Sequence, residues 1–262
     1  MNVHEFTAAK REGRKLSLTT CYDWWSARIL EASPVDAILV GDSAAMIMHG
    51  HPTTLPATSE VMSLHIAAVS RGAPGKFLIG DMPFPSHRKG ISAAMDVVDE
   101  FLTAGAHAVK LEGIQGHEEV VRHIAGSGVP VMGHVGLTPQ SVNAFGGYRV
   151  QGRGEDSAAR VVEEARRLED AGCFSVVVEG VPSEVARVIT GAVSIPTIGI
   201  GAGPHVDGQV LVLHDLAGLQ REVKPKFVRA FADGYGMILE AVTAFDRAVK
   251  SGEFPSTEES YE

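Results

Sequence analysis

Short, nearly continuous apolar runs alternate along this chain with longer stretches of helical pattern. The runs are Leu16–Cys21, Asp36–Val40, Phe77–Asp81, Ala108–Glu112, Val129–His134, Ser175–Glu179, Thr197–Gly201 and Gln209–His214. Unbroken apolarity is what a strand buried on both faces requires, as in a parallel sheet covered by helices. The helical stretches are Trp24–Ala32, Ser59–Arg71, Ser92–Ala104, His117–Ala125, Glu155–Ala171, Pro182–Thr190 and the long Lys226–Lys250. Several close on glycine, at Arg71-Gly72, Ala104-Gly105 and Ala171-Gly172, which suits a left-handed C-cap. Eight strands alternating with helices predict an α/β fold, a closed (β/α)8 TIM barrel. An open doubly wound sheet is the competing architecture. No linker or charge block divides the chain, so residues 1–262 read as one barrel domain with a loose tail after Ser251.

Composition narrows this picture. A length of 262 residues suits one such barrel, which typically needs about 250. With 45% hydrophobic and 21% charged residues the chain is ordinary globular material, not a disordered one. A net charge of −9 argues against a nucleic-acid or anionic-membrane partner, since a phosphate surface wants a basic face. Cys21 and Cys173 cannot staple a domain of this size and fit a reducing compartment. No run of ~18 apolar residues predicts a membrane span. The basic N-terminal segment has no apolar run behind it and is not a secretory signal. A soluble, cytoplasmic protein is expected.

The polar residues that end the strands carry the chemistry. The second strand ends in Asp42-Ser43, the third in Asp81 and the fourth in Lys110-Leu111-Glu112. The fifth ends in His134, the sixth in Glu179 and the eighth in His214-Asp215. In a barrel these ends converge on the C-terminal face, where active sites sit. One such residue would be read as a helix cap; charges on five strand ends exceed that role. Inward charges on buried strands must be paired or metal-bound. Asp42, Asp81 and Glu112 offer hard oxygens without thiols, which suits Mg²⁺ better than Zn²⁺. Lys110 and Glu112 are two apart, so on a strand they share one face. Lys110 can neutralise the acids or bind an anionic substrate group. A Schiff base is disfavoured, because neighbouring acids keep an amine charged. Glu179 is a usable general acid or base if buried, or a glutamate salt-bridged to a partner such as Lys110.

Other motifs are less informative. His117 and His123 are six apart rather than four, so they do not form a zincin pair. His49 and His51 flank a glycine in what reads as a loop. The GIGAG run at 199–203 lacks dinucleotide-binding spacing; it can cradle an anion or simply pack closely. The glycine-rich, basic stretch 146–154 reads as a mobile lid, with Arg149 and Arg153 able to reach an anion. Trp24 and Trp25 read as packing.

The segments LTTCYD (18–23), LVGDSAAMIMHGHPTTLPAT (39–58), DMPF (81–84), VKLEG (109–113), GHVGLTPQSVNAFGGYRVQGRG (133–154), VVEGVP (177–182), IGIGAG (198–203) and DGQVLVLHD (207–215) resemble, in order, the ketopantoate hydroxymethyltransferase family. The resemblance implies a phosphoenolpyruvate mutase-like (β/α)8 barrel assembled as a homodecamer. It implies Mg²⁺ on Asp42 and Asp81, with Glu112 beside it directly or through water. Asp42, Ser43, Asp81 and Lys110 would contact the 2-oxo acid. Glu179 matches the family's base and His134 a site histidine. The implied reaction takes a hydroxymethyl group from 5,10-methylenetetrahydrofolate to 3-methyl-2-oxobutanoate. It gives 2-dehydropantoate, in pantothenate and coenzyme A biosynthesis, through a Mg²⁺-stabilised enolate. The chain departs from the family at Ala44-Ala45, Met48-His49, Gly80 and Gly180, and the first of these border the site, leaving a related 2-oxo acid as the alternative substrate. The competing functions are a Mg²⁺-dependent lyase or hydrolase of 2-oxo acids, whose lid cysteine is missing from 146–154, and a non-catalytic barrel, which would lose some of the charged strand ends.

Overall fold

The computed structural model describes residues 1–221 and 225–261. Eight parallel strands close a barrel in chain order: β1 Leu16–Thr20, β2 Ala37–Val40, β3 Phe77–Asp81, β4 Ala108–Lys110, β5 Val131–Gly136, β6 Ser175–Glu179, β7 Thr197–Ile200 and β8 Gly208–Leu211. β8 returns to β1, with Leu16 beside Gly208, so no open edge remains. The predicted barrel, rather than the open sheet, is the fold.

The helices among the described residues of this unit are α1 Val3–Arg11, α2 Trp24–Glu31, α3 Ala44–Ile47, α4 Ser59–Gly72, α5 Ile91–Thr103, α6 Glu118–Gly126, α7 Val142–Phe145, α8 Glu155–Asp170 and α9 Ser183–Ala192. The longer ones match the helical stretches read from sequence to within two residues at each end. α1 was not expected. Its first turn is capped by Asn2, whose side chain accepts from the Glu5 N–H at 3.1 Å. It closes the barrel floor: fully buried Phe6 meets Phe77 and Phe174 at centroid distances of 5.6 and 5.4 Å. Lys10 Nζ donates to the carbonyls of Thr190 and Ile195 and pairs with Asp207 at 3.0 Å.

Period-two geometry places the site. Residues i and i+2 of a strand face the same side. Phe77 and Ile79 belong to the central core with Ala108, Met132 and Val177. The next inward positions on those strands are Asp81, Lys110, His134 and Glu179. Glu112 lies two residues past β4, yet its backbone still follows β5: Leu111 N–H donates to Met132 O and Gly113 N–H to His134 O. The interior is therefore apolar at its N-terminal end and charged at its C-terminal end.

Residues Met1–Leu211 form one compact unit and Val212–Glu262 a second. The second holds α10, Leu213–Leu216, and α11, Gly234–Ser251. Two expectations are corrected there. His214 and Asp215 do not end a strand, because the β8 ladder stops at the Thr19–Leu211 pair and the chain turns into α10. The last helix starts at Gly234 rather than Lys226, where the Asp233 side chain caps it by accepting from Gly236 N–H at 3.1 Å. Glu222, Val223 and Lys224 lie outside the described residues. No helix among the described residues is long and apolar enough to cross a membrane.

Candidate active site

A continuous chain of charged side chains crosses the C-terminal end of the barrel. Lys110 Nζ donates to both oxygens of Asp81, at 2.7 and 2.8 Å, and lies 3.7 Å from Glu112 Oε1. His134 stands between two carboxylates, with Nδ1 3.5 Å from Glu112 Oε1 and Nε2 3.3 Å from Glu179 Oε2. Asp42 joins through its backbone N–H, which donates to Asp81 Oδ2 at 3.2 Å. Ser43, the next residue, shares a 2.8 Å hydrogen bond with the Tyr22 hydroxyl. The structure thus brings Asp42, Asp81, Lys110, Glu112, His134 and Glu179 into one network, with Ser43 at its border. The ion-pair partner of Glu179 is His134, not Lys110.

Burial dominates the electrostatics. It pushes the Asp42 carboxyl well above its ordinary range, and the charges of Asp81 and Glu112 add to the rise. Asp81 is pushed up by burial too, although Lys110 pulls against it. Glu112 is held low despite burial, because Lys110 and His134 favour its charged form. Lys110 is held high despite burial by Asp81, Glu112 and Asp42, so it stays an ammonium and not a nucleophilic amine. Burial and Lys110 oppose a proton on His134, but Glu112 and Glu179 outweigh them and push it up to about 9.

The donor set fits a hard divalent cation. Three buried carboxylates face one lysine, and Glu112 Oε1 has no hydrogen-bond partner. In this arrangement Lys110 occupies Asp81. Among the described residues no three acidic, histidine or cysteine side chains stand ready as a metal cage. A cation entering here would draw the acids away from their present partners.

Two neighbours escaped sequence reasoning. Tyr22 is buried behind Ser43. Gln140, in the turn Pro139–Ser141, bonds to both Asp42 and Glu112. Its only signal was membership of the TPQS stretch. The glycine-rich stretch 146–154 begins at the left-handed Gly146 and carries Tyr148, whose hydroxyl donates to Met46 Sδ at 3.7 Å. Burial first, then the charges of Asp42, Glu179 and Glu112, push that phenol up. His49 and His65 approach at 3.0 Å between their Nε2 atoms, and His65 Nδ1 lies 2.6 Å from the Tyr22 carbonyl just past β1.

The sequence profile of the family described as ketopantoate hydroxymethyltransferase matches residues 1–257. A 3-methyl-2-oxobutanoate hydroxymethyltransferase of Bdellovibrio bacteriovorus is 54% identical over 259 residues, covering 99% of this chain and 98% of the relative. Among solved structures, phosphonopyruvate hydrolase in complex with oxalate and Mg²⁺ superposes with a TM-score of 0.65 at 13% identity, covering 99% of this chain and 93% of that one. 2,3-Dimethylmalate lyase, a member of the PEP mutase/isocitrate lyase superfamily, gives 0.59 at 16% identity, covering 99% and 91%. At such identities these two likenesses concern the fold.

Proposed function

The chain belongs to the ketopantoate hydroxymethyltransferase family, and from that premise we propose how the charged end of its barrel performs the family's reaction. The enzyme transfers a hydroxymethyl group to 3-methyl-2-oxobutanoate in pantothenate biosynthesis, giving 2-dehydropantoate. Its donor in this reading is 5,10-methylenetetrahydrofolate. The acceptor carbon, C3, carries a proton and must lose it before it can attack a one-carbon unit.

The observation that carries the assignment of the base is accessibility. Asp42, Asp81 and Glu112 are all but fully buried, whereas the Glu179 side chain keeps 17% exposure at the rim. Glu179 is the acid of the network that an entering substrate can reach, and it takes the C3 proton onto a carboxylate oxygen. His134, held between Glu112 and Glu179, fixes the orientation of that carboxylate through Nε2. Lys110 supplies fixed positive charge for the substrate carboxylate, and Ser43 offers a hydroxyl beside Asp42. Mg²⁺ held by Asp42 and Asp81, with Glu112 beside it, would supply Lewis-acid polarisation of the 2-oxo group. Proton abstraction needs no folate, so the enzyme should exchange the C3 proton with D₂O when given Mg²⁺ alone. Glu179→Gln should slow that exchange by about 10²–10⁴, the usual worth of a positioned base. Exchange at the wild-type rate in Glu179→Gln would remove Glu179 from this role.

The assembly proposed is a homo-oligomer, a decamer by family resemblance. α11 carries Met237, Ile238, Leu239, Val242 and Phe245 as exposed apolar side chains, which suit a contact between copies. Sedimentation as a lone 27.7 kDa species would contradict it.

A further inference from the structure

Gln140 makes three hydrogen bonds, each to a different strand end. Its backbone N–H donates to Glu112 Oε2 at 2.9 Å, beyond β4. Its side-chain Nε2 donates to Asp42 Oδ2 at 3.0 Å, beyond β2, and to the Met82 carbonyl at 2.9 Å, beyond β3. The residue itself follows β5 and is 2% exposed. The amide cannot be reversed, because Oε1 would then face a carboxylate and a carbonyl, both acceptors. With both Nε2 protons engaged, Oε1 is buried with no partner among the described residues.

The chemistry of this contact differs from that of Asp81. Lys110 neutralises Asp81, whereas the side-chain donor to Asp42 is a neutral amide. A neutral donor fixes the direction of a carboxylate and leaves its charge available to a cation. A residue serving only to pack the turn would not need its amide spent on two acceptors at the mouth, with the remaining acceptor left open there.

We propose that Gln140 is a positioning residue, which sets the Asp42 and Glu112 carboxylates jointly for a divalent cation. This rests on the metal reading given above and deepens it. The test is calorimetric titration of Mg²⁺ into the substrate-free protein, wild type against Gln140→Met, with a thermal melt of each. Methionine keeps the length and loses the side-chain donor to Asp42, while the backbone donor to Glu112 remains. Mg²⁺ affinity should fall by about 10–100-fold, the usual effect of removing a partner that orients a ligand, while the variant still melts cooperatively, at a lower temperature because two buried acceptors lose their donor. Raising Mg²⁺ should then restore turnover in Gln140→Met, since the base is untouched. If Gln140→Met does not fold, Gln140→Asn, with the same amide one methylene shorter, should weaken Mg²⁺ in the same direction. Unchanged Mg²⁺ affinity in a folded variant overturns the role of Gln140 alone. A wild-type protein that binds no Mg²⁺ overturns the metal reading, and this inference with it.

Discussion

Phe77 and Asp81 face the same barrel interior from one strand, roughly 13 Å apart at about 3.3 Å per residue. Around Phe77 stand Phe6, Phe174 and Leu16, all buried and all apolar. Around Asp81 stand Lys110, Glu112 and Asp42, buried almost as deeply and all charged. The first region gains free energy from burial at roughly 25 cal/mol per Å² of apolar surface. The second pays a desolvation penalty that Coulomb attraction only partly returns. The same inward rows thus divide into a floor that holds the fold and a mouth that the fold must tolerate. In the reading proposed above, charge is kept there because the reaction uses it.

The sharpest break in this contrast comes from removing one partner of the buried pair. Asp81→Ala should abolish turnover and also destabilise the protein by about 3–5 kcal/mol, because buried Lys110 loses its nearest counter-ion and keeps only the longer 3.7 Å approach to Glu112. Thermal melts and steady-state assays would show both losses together. Phe6→Ala comes next. It should cost about 3–5 kcal/mol by opening a cavity in the floor, with kcat and KM of the folded protein unchanged. A Phe6→Ala protein of normal stability and impaired KM would blur the two regions.

A smaller effect separates the floor by pH. His107 stacks on Phe77 at 5.6 Å and accepts the Leu78 N–H on Nδ1 at 3.0 Å, which requires its neutral form. Burial, then the positive N-terminus, holds its pKa below the ordinary value. Its contribution is therefore complete above the ordinary histidine range and lost as pH falls through the lowered one. Wild-type melting temperature should drop more on acidification than that of His107→Gln, which keeps an acceptor and cannot titrate. Smallest of all, neither thiol should react in the folded state. Cys21 and Cys173 are buried, and burial pushes Cys173 up to about 12. Prompt labelling of either by a thiol reagent at neutral pH would show that its region opens.

The two regions also differed in how far the sequence revealed them. Both show the unbroken apolar runs of doubly buried strands, and the charged strand ends at Asp42, Asp81, Lys110, His134 and Glu179 were visible as interruptions of those runs. α1 was not, because nine residues with only Phe6 and Ala9 buried carry a weak periodic signal. Nor was Gln140, whose importance lies in contacts to residues 28, 58 and 98 positions away. Glu112 was read as part of β4. It is held by continued pairing with β5 after the strand ends, a tertiary effect that local pattern cannot distinguish from strand. The ends of β8 and the start of α11 went astray for a related reason: hydrophobic runs continue past the last ladder pair and ahead of the Asp233 cap.

In the proposed reading the charged mouth is kept for reaction and not for stability. Its most direct test is the thermal midpoint and activity of Asp81→Leu/Lys110→Met, which replaces the buried pair by apolar side chains of similar volume. The double variant should be inactive and as stable as wild type or more stable, by about 1–4 kcal/mol. A double variant as unstable as Asp81→Ala alone would contradict it, and would make the Lys110–Asp81 pair part of what holds the barrel together.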